Sequence, residues 1–229
     1  PETYIILEHF ADNAEEKVLA NYGFMLWGHA NYQYRQLAMG YSQDVNWTSY
    51  KARGWNQPHL VSYMESHDEE RIIYSTKKEG RQVTGYNIQE LHTGLERAAT
   101  GAVYFFSTPG PKMIWQFGEM GYDLSINRCE NGSISNDCRL SPKPPRWYYL
   151  ENSDRKRLFD VYAAMLHLRE TYPVFSTNDY LMDANYNTKT IRLNHDSMNV
   201  FVICNFNMVE ATPTKKMQHT GMWYEYFSG

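Results

Sequence analysis

Short apolar runs alternate along this chain with longer segments of helical period. Tyr4-Ile5-Ile6-Leu7, Phe24-Met25-Leu26-Trp27, Leu60-Val61-Ser62-Tyr63-Met64 and Lys112-Met113-Ile114-Trp115 each have the length, and in part the β-branched content, of a buried strand. Between them, residues 14–21 read as a helix capped by Asp12 or Asn13 and stopped by Gly23, and residues 31–39 as one closed by Gly40. Asn87 can cap a long helix that places Ile88, Leu91, Leu95, Ala98, Ala99 and Ala102 on one face and stops at Pro109-Gly110-Pro111. Another starts from Ser153 or Asp154, aligns Leu158, Val161, Tyr162, Met165 and Leu168, and ends at Pro173. Residues 77–85 form a charged connector without clear period. Strands separated by helices predict a parallel α/β sheet, closed or open.

Beyond Pro173 the period changes. Residues 180–182, 190–193 and 199–204 are strand-like and separated by Asn, Asp and Ser turns, and 223–227 reads as one more strand. An α/β unit over 1–173 followed by an all-β unit over 174–229 is therefore expected. The segment 121–150 is too long for a mere connector and points to a functional loop or one packed by its own side chains.

Each of the first four strands runs into polar residues: Glu8-His9, then His29 and Asn31, then Glu65-Ser66-His67-Asp68-Glu69-Glu70, then Gln116 and Glu119. In parallel α/β sheets ligands bind just beyond the carboxyl ends of the strands. For residues 65–70 alone a solvated helix start is the plainer reading, since Ser66 or Asp68 can cap and acids favour a first turn. The repetition of the pattern favours a site. Two carboxylates on different strand ends, Glu8 and Asp68, are the apparatus for cleaving a glycosidic bond, where one acid protonates the leaving oxygen and another carboxylate meets the developing positive charge. Trp27, His29, Asn31, Trp115 and Gln116 are candidates to line sugar subsites, and His9 to form a wall.

Composition narrows the partners. The chain of 229 residues carries 22 basic and 26 acidic side chains with no basic stripe, which argues against a nucleic-acid surface. No apolar run approaches a membrane span, and any signal segment would lie upstream of Pro1. Aromatics reach 15%, many of them beside Asn, His, Gln and Asp, as suits stacking on sugars. A metal-dependent hydrolase built on Glu8, His9, His67 and Asp68 is a competing reading, but the ligand spacing is unconvincing and no metal or other cofactor is assigned. Cys129 and Cys138 share one polar loop, where a disulfide, which would suggest an exported protein, and two free thiols fit the spacing equally; Cys204 sits in an apolar run.

Three stretches carry a resemblance. Ile5-Ile6-Leu7-Glu8-His9-Phe10, Tyr63-Met64-Glu65-Ser66-His67-Asp68 and the run from Met113 to Asp123 resemble, in order, the fifth-strand, seventh-strand and eighth-strand motifs of the α-amylase family of glycoside hydrolases. The resemblance extends over essentially the whole chain and implies the second half, strands five to eight, of a (β/α)8 barrel, followed by part of a C-terminal β-sandwich. It implies Glu8 as general acid/base, Asp68 as the stabiliser of the distorted sugar, and His67 as a donor to the same sugar's hydroxyls. The family's nucleophile, an Asp after an Arg on the fourth strand, would lie ahead of Pro1, so the chain alone is expected to be inactive. The Asn that usually precedes His-Asp is Ser66 here. Residues Arg139, Lys143, Pro144 and Trp147 would form a structural clasp near the pocket. Calcium occurs in the family, but its usual ligands would lie mostly upstream. The implied partner is an α-glucan, with a branching enzyme or other glucanotransferase, or a non-catalytic binding protein, as alternatives. Half a barrel also predicts association with its missing half or with itself through open edges.

Overall fold

The computed structural model describes residues 3–184 and 186–228; Pro1, Glu2, Asn185 and Gly229 lie outside the described residues. In chain order the elements are β1 (Ile6–Leu7), α1 (Asn13–Tyr22), β2 (Met25–His29), α2 (Asn31–Ala38), β3 (Leu60–Tyr63), α3 (Ile72–Glu79), the β4–β5 hairpin (Gln82–Val83 and Tyr86–Asn87) and α4 (Leu91–Ser107). They continue with β6 (Lys112–Met113), α5 (Ser153–Thr171), β7 (Tyr180–Asp183), β8 (Thr188–Leu193) and β9 (Val200–Asn205). Strands β1, β2, β3 and β6 form a parallel sheet in that order. Parallel neighbours need a crossover, and helices supply it. Within the described residues the sheet is open, with β1 and β6 at its edges.

Register decides which side chains can meet. Ile6 pairs with Met25, Trp27 with Val61, His29 with Tyr63, and Tyr63 with Met113, so these residues share one face of the sheet. Leu7, Leu26 and Leu60 occupy the other face and pack with Leu19, Ala20, Tyr34 and Leu37 in the core. At that face Gly28 leaves room that a Cβ could not share, since it would stand 2.8 Å from Leu60.

Local signals set several ends as expected. Asp12 accepts from the N–H groups of Ala14 (2.8 Å) and Glu15 (3.2 Å), and Gly23, at φ 126°, releases α1. The long helix departs from expectation: it begins at Leu91, because Asn87 ends the hairpin and its side chain accepts instead from Gln89 N–H at 3.0 Å. Helix α3 covers part of the supposed connector. Arg71, in the cap position just before it, makes no side-chain cap; the cap comes from Glu65, whose carboxylate accepts from Ile72 N–H at 2.7 Å.

Strands β7, β8 and β9 form an antiparallel sheet against α4. Its Ile191, Leu193, Val202 and Cys204 join the same buried cluster as Tyr104 and Phe105. Buried Arg97 of α4 donates to the carbonyls of Leu37 (2.6 Å), Ala38 (2.7 Å), Phe206 (2.9 Å) and Asn207 (3.2 Å). Residues 223–227 are not a strand. Glu225 accepts from Phe227 N–H at 3.0 Å and folds the segment into a turn, leaving Tyr224 and Tyr226 exposed. No helix among the described residues is long and apolar enough to cross a membrane.

Candidate active site

The loops that follow β1 and β3 bring Glu8, His67 and Asp68 together, with a side-chain N or O of each within 4.8 Å of the others. Continuing the alternation of β1 puts Glu8 on the face of Ile6, Met25 and Trp27. Asp68 is fixed through its neighbours. Its N–H donates to Ser66 Oγ at 3.0 Å, and buried Ser66 in turn donates to Glu69. One Asp68 oxygen lies 3.3 Å from His67 Nε2 and the other 3.9 Å from an Arg139 nitrogen.

Tyr63 forms the floor. Its ring stacks on His29 at 5.7 Å and meets Trp27 edge-on at 6.0 Å. Burial, reinforced by the carboxylates of Glu69, Asp68 and Glu8, raises its hydroxyl well above the ordinary phenol range, so it stays a neutral O–H among acids. His29 Nε2 lies 3.4 Å from Glu69 Oε1. From the sequence Tyr63 reads as a strand residue only. The pairing of His29 with Tyr63 is what exposes its role, and that register is not readable from one strand alone.

On the β6 side, the Trp115 ring stands 5.8 Å from the His67 ring, and exposed Gln116 lends its carbonyl to Arg71. Phe117, at φ 59°, then turns the chain in the left-handed region, where its buried ring stacks on Tyr122 at 5.9 Å and abuts Trp147 at 4.8 Å. His67, Trp115, Gln116, Ser125 and Arg139 border an open cavity of about 210 Å³ beside the acids.

Two expected residues lie elsewhere. His9 turns to α1, with Nε2 2.9 Å from Glu15 Oε1. Asn31 is buried and donates to the carbonyls of Met64 (2.8 Å) and Glu70 (3.0 Å), so it braces the loop from behind and does not line the cavity. Glu65 is likewise structural, paired with Arg71 at 3.1 Å.

The loop 121–150 closes over this end of the sheet. Glu70 accepts from Ser125 Oγ (2.6 Å) and Ile126 N–H (2.9 Å), Tyr122 donates to Pro144 O at 2.8 Å, and Cys129 is bonded to Cys138. Cys204 is a buried free thiol, pushed up to about 12 by desolvation. One imidazole and two carboxylates at the spacing of Glu8, His67 and Asp68 are also a donor set that a divalent cation accepts.

Parallel strands separated by helices, with polar side chains gathered at their carboxyl ends, define an α/β fold whose candidate site lies where barrel and doubly wound proteins bind their ligands. No family profile and no curated relative matches the sequence. Among solved structures the matches are enzymes of the α-amylase family. AmyP in complex with maltose aligns with TM-score 0.62 at 13% identity, over 86% of this chain and 44% of its own. An α-amylase from H. orenii gives 0.57 at 16% identity, over 89% and 43%. A debranching enzyme from Nostoc punctiforme, soaked with acarbose, gives 0.53 at 16%, over 90% and 42%. The chain thus has the fold of these enzymes over somewhat less than half of their length.

Proposed function

We propose that this chain carries the proton donor and the transition-state stabiliser of an α-glucan-active glycoside hydrolase. The observation that carries the reading is the convergence of Glu8 and Asp68, from separate strand ends, beside an imidazole and an indole. Glu8 protonates the glycosidic oxygen as the bond to the anomeric carbon breaks. Asp68 accepts from hydroxyls of the sugar being flattened and offsets the charge of the oxocarbenium-like transition state. His67 bonds the same sugar, while Trp115 and Trp27 offer apolar surface to its ring faces.

In this reading the four parallel strands are strands five to eight of a (β/α)8 barrel, and the nucleophile belongs to the preceding half. Ile5, Ile6 and Phe10 at the β1 edge and Ile114 beside β6 are exposed apolar surface that such a half would cover. The maltose and acarbose named with the neighbouring structures support an α-glucan as ligand. Hydrolysis or transfer then depends on the acceptor, so a glucanotransferase such as a branching enzyme uses the same residues.

Calorimetric titration of the chain with maltotriose tests the reading. Saturable binding is expected, weakened about tenfold or more by Asp68→Ala through loss of charged hydrogen bonds. No saturable binding would refute it. A second reading, a divalent-cation site on Glu8, His67 and Asp68, predicts that EDTA abolishes any binding. The carbohydrate reading expects EDTA to change nothing.

A further inference from the structure

Beside the disulfide-closed ring in the loop over the site, a guanidinium stands near the acid cluster, with one nitrogen 3.9 Å from an Asp68 oxygen. Arg139 follows Cys138 directly, and Asp68 is its one carboxylate neighbour within 4.0 Å among the described residues. The two Asp68 oxygens face different nitrogens, Oδ2 that of His67 at 3.3 Å and Oδ1 that of Arg139 at 3.9 Å. The terminal torsion of a carboxylate is broad. A nitrogen facing each oxygen, in charge contact and not hydrogen-bonded, favours one rotation over the others.

The mount of Arg139 is built independently of that ion pair. Cys129 N–H donates to Ser133 O at 2.8 Å, Ser135 N–H to Asn127 O at 2.9 Å, and Arg139 N–H to Asn136 O at 3.1 Å. Lys143 Nζ gathers the carbonyls of Cys138 (2.8 Å) and Ser141 (2.7 Å), while Glu70 ties the start of the loop to the segment that carries Asp68. An exposed ion pair of this kind adds little to stability, so so much bracing makes better sense as a way of fixing where the charge stands.

We propose that Arg139 is a positioning residue for Asp68, and that the Cys129–Cys138 ring serves to hold it there. Arg139 keeps the Asp68 carboxylate in the rotation that receives sugar hydroxyls, so sugar affinity depends on the guanidinium and on the ring together. The proposal rests on the carbohydrate reading above.

Maltotriose titration of the full 229-residue chain provides the test. Arg139→Met is expected to weaken binding about tenfold, and Arg139→Lys to restore part of it, because a point charge replaces a planar fork. In the Asp68→Asn background Arg139→Met should have little further effect, and in the Arg139→Met background the paired Cys129→Ser and Cys138→Ser changes should add nothing. Circular dichroism and melting temperature check each variant for folding. If the serine pair fails to fold, the Asp68 and Arg139 cycle decides alone. Unchanged affinity in Arg139→Met, or additive losses across the cycle, would overturn the proposal while leaving the carbohydrate reading intact. A wild-type chain that does not bind maltotriose would overturn both.

Discussion

Glu65 offers the sharpest test of how the site segment is held. Its carboxylate is buried, pairs with Arg71 at 3.1 Å and accepts from Ile72 N–H at 2.7 Å, so one side chain closes both ends of the segment that carries His67 and Asp68. Glu65→Ala removes the partner of a buried cation, a loss of roughly 3–5 kcal/mol, and with it a helix cap of about 1 kcal/mol. Arg71 keeps its bond to Gln116 O and its place 4.6 Å from the Tyr122 ring centre, which favours the lower end, about 4 kcal/mol in total. For a chain of this size that corresponds to a fall in Tm of about 8–16 °C. Glu65→Gln retains an acceptor for Ile72 and is expected to lose clearly less, about 2–3 kcal/mol. Paired substitution of Glu65 and Arg71 by Met should recover much of the loss, because no charge is then stranded. Urea unfolding and calorimetry measure all of these. The reasoning fails if Glu65→Ala costs under about 1 kcal/mol, or if the Met pair is no more stable than Glu65→Ala.

Two further outcomes are expected. Lys189 is fully buried, with its ammonium bonded to the carbonyls of Gln43 (2.7 Å), Ala184 (2.5 Å) and Tyr186 (2.9 Å), yet burial pushes it down to about 8 against the pull of Asp44 and Asp183. Its folded value lies below its unfolded one near 10.4, so the unfolded chain binds the extra proton between them, and stability from this group rises with pH from about 8 to about 10. The difference in unfolding free energy between wild type and Lys189→Met, followed over that range, should therefore shift toward wild type by up to about 3 kcal/mol; a flat difference contradicts the assignment. The second concerns turnover. If the proposed roles hold, the chain alone is expected to release no reducing sugar from starch, because in that reading a retaining displacement needs a nucleophile besides Glu8 and Asp68. Release that disappears in Glu8→Gln would show the catalytic set to be complete.

What could be read in advance was whatever is local. The four parallel strands, α1 with its Asp12 cap, and the strand-end acids follow from runs of apolar residues and from caps within a turn of the element they close. For helix α3 the sequence offers a start capped by Ser66 or Asp68; the cap is instead Glu65, which lies seven residues before Ile72 and belongs to the loop, and the helix runs on into the charged connector. Asn31 and His9 looked like site residues because both follow strands, but their partners, the Met64 and Glu70 carbonyls and Glu15, are set by tertiary packing and local helix geometry. Tyr63 went unnoticed for the opposite reason: an aromatic in a strand is ordinarily core, and only its register with His29 aims it among the carboxylates. Residues 223–227 had a strand composition, but a Glu placed to bind the N–H two residues on favoured a turn.

Arg97 carries a consequence for anyone wishing to exchange parts between such proteins. A single guanidinium, anchored in α4, reads carbonyls from the end of α2 and from the residues just past β9. A β-sheet transplanted after α5 would have to present two backbone oxygens where Phe206 and Asn207 present theirs, or else strand the cation without water. Compatibility of the two parts is thus a matter of main-chain placement more than of side-chain identity, and chimeras should be screened for that contact before any surface is redesigned.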